Sequence, residues 1–269
     1  MRKKLPLIAV AALLVIAVVI FLLIPKPASD AGEDMLSRIR AKGKLAIATE
    51  GDWPPWTYHD DSNALTGFDV EIGGLIAKGL GVEPDYQEAA WDSLLAGLES
   101  GRFDIVCNGV DYTEDRAKTY ALSDPYVYTE IVLVVAKDNE DIHTIEDLKG
   151  KTTSNSPNST YAQRELDAGA TVEYADTLAQ TLRMVEQGRV QASINSKGSV
   201  EEYLESNPDA NLKVVLTIPG DPVCFPMVKG EDTATLVAEV NRILSELRAD
   251  GTLAALSQKY FGADMTEAK

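Results

Sequence analysis

The chain has 269 residues, of which 42 are acidic and 25 basic, with a formal net charge of −17. Four cations and one acid lie in the first 32 residues, so residues 33–269 carry 21 cations, 41 acids and a charge of −20. So acidic a surface repels nucleic acid and anionic lipid and argues against both as partners. The two histidines are isolated and no Cys/His cluster has ligand spacing, so we expect no metal and no cofactor.

The amino-terminal segment resembles a targeting signal. Three cations in residues 1–4 precede an uncharged run of twenty residues, 5–24. A helix of this run spans about 30 Å, the thickness of the bilayer hydrocarbon, and the cations direct the rest of the chain out of the cytoplasm. A cleaved signal and an uncleaved anchor both stay open. The run exceeds the usual signal core of about 7–15 residues, which favours the anchor.

Residues 33–269 are therefore an exported body, placed at the cell surface or in the periplasm. Their hydrophobic pattern alternates short strands with amphipathic helices, which predicts an α/β body of parallel sheets covered by helices. The run 126–136 is long for one strand and can cross between two domains. The predicted elements are strands at 44–49, 83–88, 103–107, 126–136, 151–155, 172–174, 190–194, 213–216 and 223–228, and helices at 67–80, 91–100, 145–150, 161–168, 177–187, 198–206, 233–250 and 252–261.

Ligands of such sheets bind at the carboxyl ends of the strands, where four predicted loops lie. Arg116, in one of them, can bind a carboxylate through two parallel N–H···O bonds, and its charge does not titrate. Trp53 and Trp91 can form pocket walls, whereas Trp56 is expected in the core. The four loops are 50–56, 108–116, 156–161 and 195–198.

The two cysteines, Cys107 and Cys224, lie in apolar strand-like runs. In an exported protein such a pair can form a disulfide, yet a buried free thiol suits the same surroundings. Both possibilities stay open from the sequence.

Motifs spread over the body resemble one known family, the extracellular solute-binding proteins that supply polar amino acids to ABC importers (family 3). Each motif is weak alone, but seven occur in the family's order between about Leu45 and Phe261. They are Gly67–Ile72, Trp91 with the leucines after it, Ser100–Asp104, Thr113–Arg116, Ser123–Tyr126, Asp147–Lys151, and Asp250–Thr252 leading to Lys259–Gly262.

This resemblance implies a type II periplasmic-binding-protein fold, in which two α/β lobes joined by two crossover strands bind the ligand between them. Residues 33–126 and 226–269 would form the first lobe and residues 127–225 the second. Residues 1–32, the hydrophobic helix (a signal peptide or membrane anchor) and its tether, precede both lobes in the chain. The implied function is amino-acid capture by lobe closure for ABC permease subunits in the membrane. The protein is then a monomer with no catalytic residue.

The resemblance also assigns roles to residues. The Arg116 position binds the ligand's α-carboxylate, and the Gly109 position helps to bind its α-ammonium through backbone groups. Trp53 and Trp91 match the aromatic walls around the ligand side chain. The loop with Ser159 and Thr160 matches the second lobe's donors to the carboxylate, a role suited to the start of a helix.

Two positions depart from the family pattern. The position of Ser196 is usually an aspartate that binds the ammonium, and the position of Asp111 is usually Thr or Ser. We expect Asp111 to supply the counter-charge instead, because an unpaired buried ammonium costs several kcal/mol. The alternatives are that Asp111 pairs with Arg116 or caps the following turn.

The ligand is predicted less sharply. The segment from Asn108 to Thr113 and the loop from Ser154 to Tyr161 look most like members that carry cystine, cysteine or another polar amino acid. Glu50 lies where members with basic ligands carry an acid, so a basic amino acid ranks second.

Two other functions stay open. One is a ligand sensor acting on a separate signalling partner. The other is a dehydratase-like enzyme, in which Glu50 or Asp111 would be the acid or base.

Overall fold

The computed structural model describes residues 34–268, and the body from Met35 onwards forms one unit. The predicted amino-terminal helix and tether of residues 1–32 lie outside the described residues. Among those that are described, no helix combines the length and apolar character needed to cross a bilayer.

The first of two lobes is built on a five-stranded sheet. Its strand order is β5-β1-β6-β14-β8, where β14 (Pro226–Val228) comes from the carboxyl-terminal part of the chain and the other four strands from residues 44–122. Strand β1 runs parallel to β5 and β6, whereas β14 is antiparallel to β6 and β8. A small antiparallel sheet, β2-β3-β4, lies beside it. The elements of this lobe are α1 (Met35–Lys42), β1 (Lys44–Thr49), β2 (Asp52–Trp53), β3 (Thr57–His59), β4 (Leu65–Thr66), α2 (Phe68–Leu80), β5 (Glu83–Glu88), α3 (Trp91–Glu99), β6 (Ile105–Val106), and, after β7 (Val110–Asp111) of the second sheet, α4 (Glu114–Thr119) and β8 (Tyr120–Leu122).

The second lobe has a six-stranded sheet with the order β11-β10-β12-β9-β13-β7. Strand β10 is parallel to β11 and β12, and the long pair β9 and β13 is antiparallel. The chain then returns to the first lobe for its last strand and two carboxyl-terminal helices. These elements are β9 (Val127–Ala136), a 3₁₀ turn (Glu146–Leu148), β10 (Thr152–Asn155), α5 (Thr160–Asp167), β11 (Thr171–Tyr174), α6 (Leu178–Glu186), β12 (Ala192–Ser196), α7 (Lys197–Ser206), β13 (Leu212–Cys224), β14 (Pro226–Val228), α8 (Ala234–Ala249) and α9 (Thr252–Phe261).

Helix α2 shows how local sequence sets these elements. Phe68, Ile72, Ile76 and Leu80 recur every four residues, and all are buried against the first sheet. The helix ends where Gly81 adopts a left-handed conformation (φ 79°), which closes the last turn through bonds to the carbonyls of Ala77 and Lys78. The predicted helix at 67–80 is confirmed within one residue.

The predicted strands at 213–216 and 223–228 are wrong in their bounds. They are joined by a continuous β13, and the chain from Pro226 forms the separate strand β14. Pro219 and Pro222 resemble strand breakers, but the pairing with β9 shifts register between them. Proline is tolerated at such irregularities because no regular ladder bond needs its missing N–H. The sheets are also mixed rather than purely parallel.

The two cysteines are not joined. Cys107 and Cys224 are both buried free thiols. Burial raises the pKa of Cys224 to about 12, so at neutral pH this thiol stays protonated and unreactive.

Thr129, on β9, tests whether the interior tolerates an unpaired polar group. Its hydroxyl is buried and has no hydrogen-bond partner among residues 34–268. Thr129→Val removes that hydroxyl at nearly constant shape, so we expect the free energy of unfolding to rise by about 1 kcal/mol. Urea denaturation measures the change.

Thr153→Val is the matched control. The Thr153 hydroxyl is equally buried but donates to Glu165 Oε2 at 2.9 Å. The same substitution there is expected to lower the unfolding free energy by about 1–2 kcal/mol. Two losses of equal size would contradict the prediction for Thr129.

Candidate functional site

A cavity lies between the two lobes, at the carboxyl ends of β1, β10 and β12, and encloses about 520 Å³ of space between protein atoms, part of which is open to solvent. Both lobes contribute to its wall, which places the cavity where the strand-end rule predicts a ligand. Its lining residues are Glu50, Asp52, Trp53, Trp91, Gly109, Asp111, Arg116, Asn155, Ser156, Ser159, Thr160, Tyr161, Asp176, Thr177, Leu178 and Asn195.

Eight of the ten predicted site residues line this one cavity. Two do not. The side chain of Asn108 bonds to Glu50, and the Ser196 hydroxyl accepts a hydrogen bond from Trp56 Nε1 at 3.4 Å. The eight on the wall are Glu50, Trp53, Trp91, Gly109, Asp111, Arg116, Ser159 and Thr160.

Arg116 is the one cation among the described residues that line the cavity. Its Nη1 donates to the backbone oxygen of Asp111 at 2.8 Å, and its Nη2 donates to the backbone oxygen of Asn158, in the second lobe, at 3.4 Å. The guanidinium carbon lies 5.5 Å from the centre of the Trp91 ring. Since a guanidinium has five N–H donors, Arg116 is held in place with donors left for an anion.

Asp111 is the most deeply buried carboxylate of the cavity wall, at 5% exposure. Its Oδ2 accepts a hydrogen bond from the Thr160 hydroxyl at the start of α5. Burial raises the pKa of Asp111 to about 6, although this bond and the nearby Arg116 charge act in the opposite direction. The turn after Asp111 is capped by Thr113, whose hydroxyl accepts from the N–H of Arg116 at 3.1 Å. Asp111 itself is therefore not the cap.

Glu50 contributes a second carboxyl at the end of β1. Asn108 Nδ2 donates to Glu50 Oε2 at 2.6 Å, and the Glu50 N–H donates to Asn108 Oδ1 at 2.8 Å. Burial raises the pKa of Glu50 to about 7, and the neighbouring Asp52 charge adds to this rise. Asn108 thus acts on the cavity through Glu50, which can take or release a proton near neutral pH.

Trp53 connects the two lobes. Its ring stacks on Trp56 with centroids 5.4 Å apart and packs against apolar clusters of both lobes. Trp91 contacts the second lobe in another way, since its Nε1 donates to the backbone oxygen of Pro157 at 3.0 Å. Both indoles thus form walls that span the cleft, and Trp56 is buried in the core as predicted.

The start of α5 forms the second-lobe wall. Ser159 caps this helix, because its hydroxyl accepts from the N–H of Ala162 at 3.0 Å and donates to the Ser156 oxygen at 2.9 Å. The Ser159 hydroxyl is thus committed to the helix. The Thr160 hydroxyl likewise gives its proton to Asp111, so what the wall offers a ligand is the N–H groups of the first turn, a suitable place for an anion.

Several wall residues were missed by sequence reasoning. Asp176, Thr177 and Leu178 follow β11, so the strand-end rule could have found them had it been applied to this strand as well. Asn155 is the last residue of β10, where a single polar residue in a strand gives little signal. Asn195 lies in the predicted loop 195–198 but was not singled out. Asp52 and Tyr161 lie within the predicted loops.

Gly109 is fixed from behind by a buried acid. Asp69 Oδ2 accepts the Gly109 N–H at 2.6 Å, and Asp69 Oδ1 accepts the Tyr126 hydroxyl at 2.6 Å. Gly109 has φ 56°, and a Cβ added there would lie 2.6 Å from Trp53 Cζ3 and 3.0 Å from Trp56 Cε3. The position therefore needs glycine for both its backbone and its surroundings.

Gly109→Ala is expected to lower the unfolding free energy by roughly 2–4 kcal/mol, because backbone strain adds to the clash with the indoles. Guanidinium denaturation gives the value. Gly101→Ala is the control, since Gly101 has φ 72° but nothing within 4 Å of its added Cβ. There only the backbone cost of about 1 kcal/mol is expected. Equal losses at both positions would show that the indole contact adds nothing.

Residues 45–263 match the family of bacterial extracellular solute-binding proteins, family 3. The chain is a family 3 solute-binding protein. It is 41% identical over 235 residues to the L-cystine-binding protein TcyA of Bacillus subtilis strain 168, a match covering 87% of each chain.

Two solved structures resemble this solute-binding protein to different degrees. An ancestral arginine-binding protein bound to arginine has 33% identity and a TM-score of 0.77, over 82% of this chain and 99% of the other. The L-cystine solute receptor of Neisseria gonorrhoeae, in the unliganded open conformation, has 39% identity but a TM-score of 0.57, over 87% and 99%. The TM-score is thus higher for the ligand-bound relative, although its sequence identity is lower.

Proposed function

We propose that this protein is the substrate-binding component of an ABC importer and captures a polar amino acid, L-cystine in the first place. The observation that carries the proposal is the single cation of the cavity wall, Arg116, beside the buried Asp111 in an interlobe cavity. These two side chains complement the opposite charges of an amino acid. The relative TcyA is an L-cystine-binding protein, and the polar groups of both lobes on the cavity wall suit a ligand with two amino-acid ends.

In the proposed complex the α-carboxylate binds Arg116 and the start of α5. The α-ammonium binds Asp111 and the Gly109 backbone oxygen, and Trp53 and Trp91 enclose the side chain. Asn108 supports this arrangement by holding Glu50. Ser196 supports it by bonding to Trp56.

Capture proceeds by lobe closure, with residues 33–126 and 226–269 moving as one lobe and 127–225 as the other. The long crossings between the lobes lie near residues 122–127 and 224–226, beside the short β7, which also pairs into the second sheet. Closure alters the surface offered to ABC permease subunits. The protein works as an exported monomer, either anchored by residues 5–24 or released after cleavage, and binds its amino acid without chemical change.

A basic amino acid is the second candidate, because three further carboxylates line the cavity. Glu50, Asp52 and Asp176 exceed what one α-ammonium needs. A cationic side chain would be stabilised among them.

A thermal-shift screen of the purified protein against the free amino acids tests both candidates. A ligand at 100 times its Kd adds about 2.7 kcal/mol of apparent stability. A larger shift with L-cystine than with L-arginine supports the first candidate, and the reverse order supports the second. No shift with any amino acid would overturn the proposed function.

A further inference from the structure

Glu165 is a fully buried carboxyl on α5, one helical turn beyond the residues that line the cavity. Its Oε1 accepts the Ile194 N–H at 2.7 Å and Asn155 Nδ2 at 3.0 Å, and its Oε2 accepts the Thr153 hydroxyl at 2.9 Å. Burial raises the pKa of Glu165 to about 8 against these three bonds. Among the described residues no lysine or arginine forms an ion pair with it. Burying a carboxyl without a neighbouring cation costs free energy, and the three hydrogen bonds offset part of that cost.

The bonds of Glu165 determine which way the Asn155 amide faces. Asn155 Nδ2 donates both of its hydrogens inward, one to Glu165 Oε1 and one to the Ile194 backbone oxygen at 2.8 Å. Neither acceptor can donate in return, so the amide cannot be turned around. Within the described part of the chain its oxygen, Oδ1, accepts one hydrogen bond, from the Ser156 N–H at 3.2 Å, and retains a second lone pair. Asn155 lines the cavity, and the group it can offer there is this acceptor.

This orientation persists whether or not Glu165 carries a proton. Oε1 already accepts two hydrogen bonds, so a proton on the carboxyl belongs on Oε2, where it can point to the Thr153 hydroxyl. Oε1 remains an acceptor in both forms. The Asn155 amide is therefore fixed over the whole range in which Glu165 titrates.

The second lobe offers few other acceptors for a cation. The Ser196 hydroxyl accepts a hydrogen bond from Trp56, and the carboxylate this lobe contributes to the wall, Asp176, is exposed. Asn195 also lines the wall, where its Oδ1 accepts the Ser196 N–H at 2.9 Å, but among the described residues no bond from its Nδ2 fixes the amide. Asn155 Oδ1, by contrast, is desolvated and already oriented. A desolvated, preoriented acceptor binds an ammonium more strongly than an exposed one does.

We propose that Glu165 is a positioning residue that turns the Asn155 amide oxygen into the cavity, where it accepts a hydrogen bond from an ammonium group of the bound amino acid. This inference rests on the proposed function and names an acceptor within the same site. Through its three hydrogen bonds Glu165 also joins its own helix, α5, to strands β10 and β12, next to the second-lobe residues that line the cavity.

Titration calorimetry with L-cystine on the full chain tests the proposal with four variants, Glu165→Met, Glu165→Gln, Asn155→Ala and Glu165→Met/Asn155→Ala. L-arginine replaces L-cystine if the thermal-shift screen ranks it first. Gln can reproduce the native pattern, with Oε1 accepting both N–H groups and Nε2 donating to Thr153, whereas Met can accept neither bond. We expect Asn155→Ala and Glu165→Met each to raise Kd about tenfold or more, and Glu165→Gln to stay within about threefold of the unchanged protein.

The double variant separates positioning from general support of the fold. If Glu165 acts through Asn155, adding Glu165→Met to Asn155→Ala raises Kd by less than about threefold, because the amide it positions is gone. Independent, multiplying losses would overturn the proposal, as would unchanged affinity in Asn155→Ala. If Glu165→Met does not fold, loss of affinity in Asn155→Ala with retention in Glu165→Gln supports the proposal, and the opposite pattern overturns it. If the unchanged protein binds no amino acid, the proposed function fails and this inference fails with it.

Discussion

Arg116→Met is expected to raise Kd for the bound amino acid at least about 100-fold, the largest effect of any single substitution proposed here. The guanidinium is the cation of the cavity wall, half-buried and fixed by the Asp111 carbonyl and the Trp91 ring. Methionine keeps much of the side-chain length and removes both the charge and the donors, so the ligand carboxylate would enter the closed cavity unpaired. Calorimetry measures the loss.

Arg116→Lys tests geometry apart from charge. Lysine retains the positive charge but cannot donate two parallel bonds, so an intermediate rise in Kd of about tenfold is expected. Arg102→Met is the matched control. Arg102 lies in the same lobe, over the Phe103 ring at 4.8 Å, but is exposed and outside the cavity wall. Its substitution should leave Kd unchanged. Binding by Arg116→Met within threefold of the unchanged protein would contradict carboxylate capture by Arg116.

Most of the fold could be predicted because hydrophobic spacing and glycine stops act locally. Helix α2 and the carboxyl-terminal helix α9 illustrate this, since each is amphipathic and ends at a left-handed glycine, Gly81 or Gly262. The strand β13 could not be predicted in full. Its continuity depends on pairing with β9, which lies more than 75 residues away along the chain, whereas Pro219 and Pro222 locally resemble strand breakers.

Residues of the cavity wall could be picked out from the sequence where charge or aromatic character made them conspicuous. Arg116, Trp53 and Trp91 stand out in a loop or at a helix start, and the family resemblance placed Ser159 and Thr160 opposite them. Asn155 is a neutral polar residue at the end of a strand. The role proposed for its amide oxygen depends on the buried Glu165, ten residues along the chain. Partners of that kind become visible only when the lobe has folded.

Ser196 and Asn108 show the limit of transferring roles by position. Both are next to wall residues in sequence, but the side chain of each bonds to another protein group, Trp56 and Glu50 respectively. A position in the chain fixes the backbone's approach to the cavity, whereas the direction of the side chain depends on which neighbours offer it a bond. Sequence alone does not list those neighbours.

Asp111→Asn is expected to raise Kd for the amino acid by about 30-fold or more at pH 8, because a buried ammonium would lose its counter-charge. Asparagine has nearly the same shape, and its oxygen can still accept the Thr160 hydroxyl bond. The backbone oxygen that binds Arg116 is unaffected. The loss would therefore report the charge of Asp111 rather than a change in the cavity wall.

The same residue predicts how binding depends on pH. In the empty cavity burial raises the pKa of Asp111 to about 6, and a bound ammonium would lower it, so the amino acid binds the ionised form. Affinity should be full above pH 7 and fall as pH drops through 6, approaching a tenfold rise in Kd per pH unit for one proton. The difference in log Kd between the unchanged protein and Asp111→Asn isolates this contribution, since Glu50 titrates in both. Asp115→Asn is the control, because Asp115 is exposed in the same segment and should alter neither Kd nor its pH dependence.

Asp111→Asn should affect binding and stability in opposite directions. It should weaken binding but raise the free energy of unfolding of the ligand-free protein. An acid whose pKa is higher in the folded than in the unfolded chain is ionised only at a cost, which is absent below pH 4 and full above the folded pKa of about 6. Asp111→Asn removes that cost, so at pH 8 its unfolding free energy should exceed that of the unchanged protein by roughly 1–3 kcal/mol, and the gain should vanish towards pH 4. A variant more stable yet weaker in binding would show that Asp111 is retained for the ligand at the expense of the fold. Lower stability together with intact binding would instead make Asp111 a structural residue.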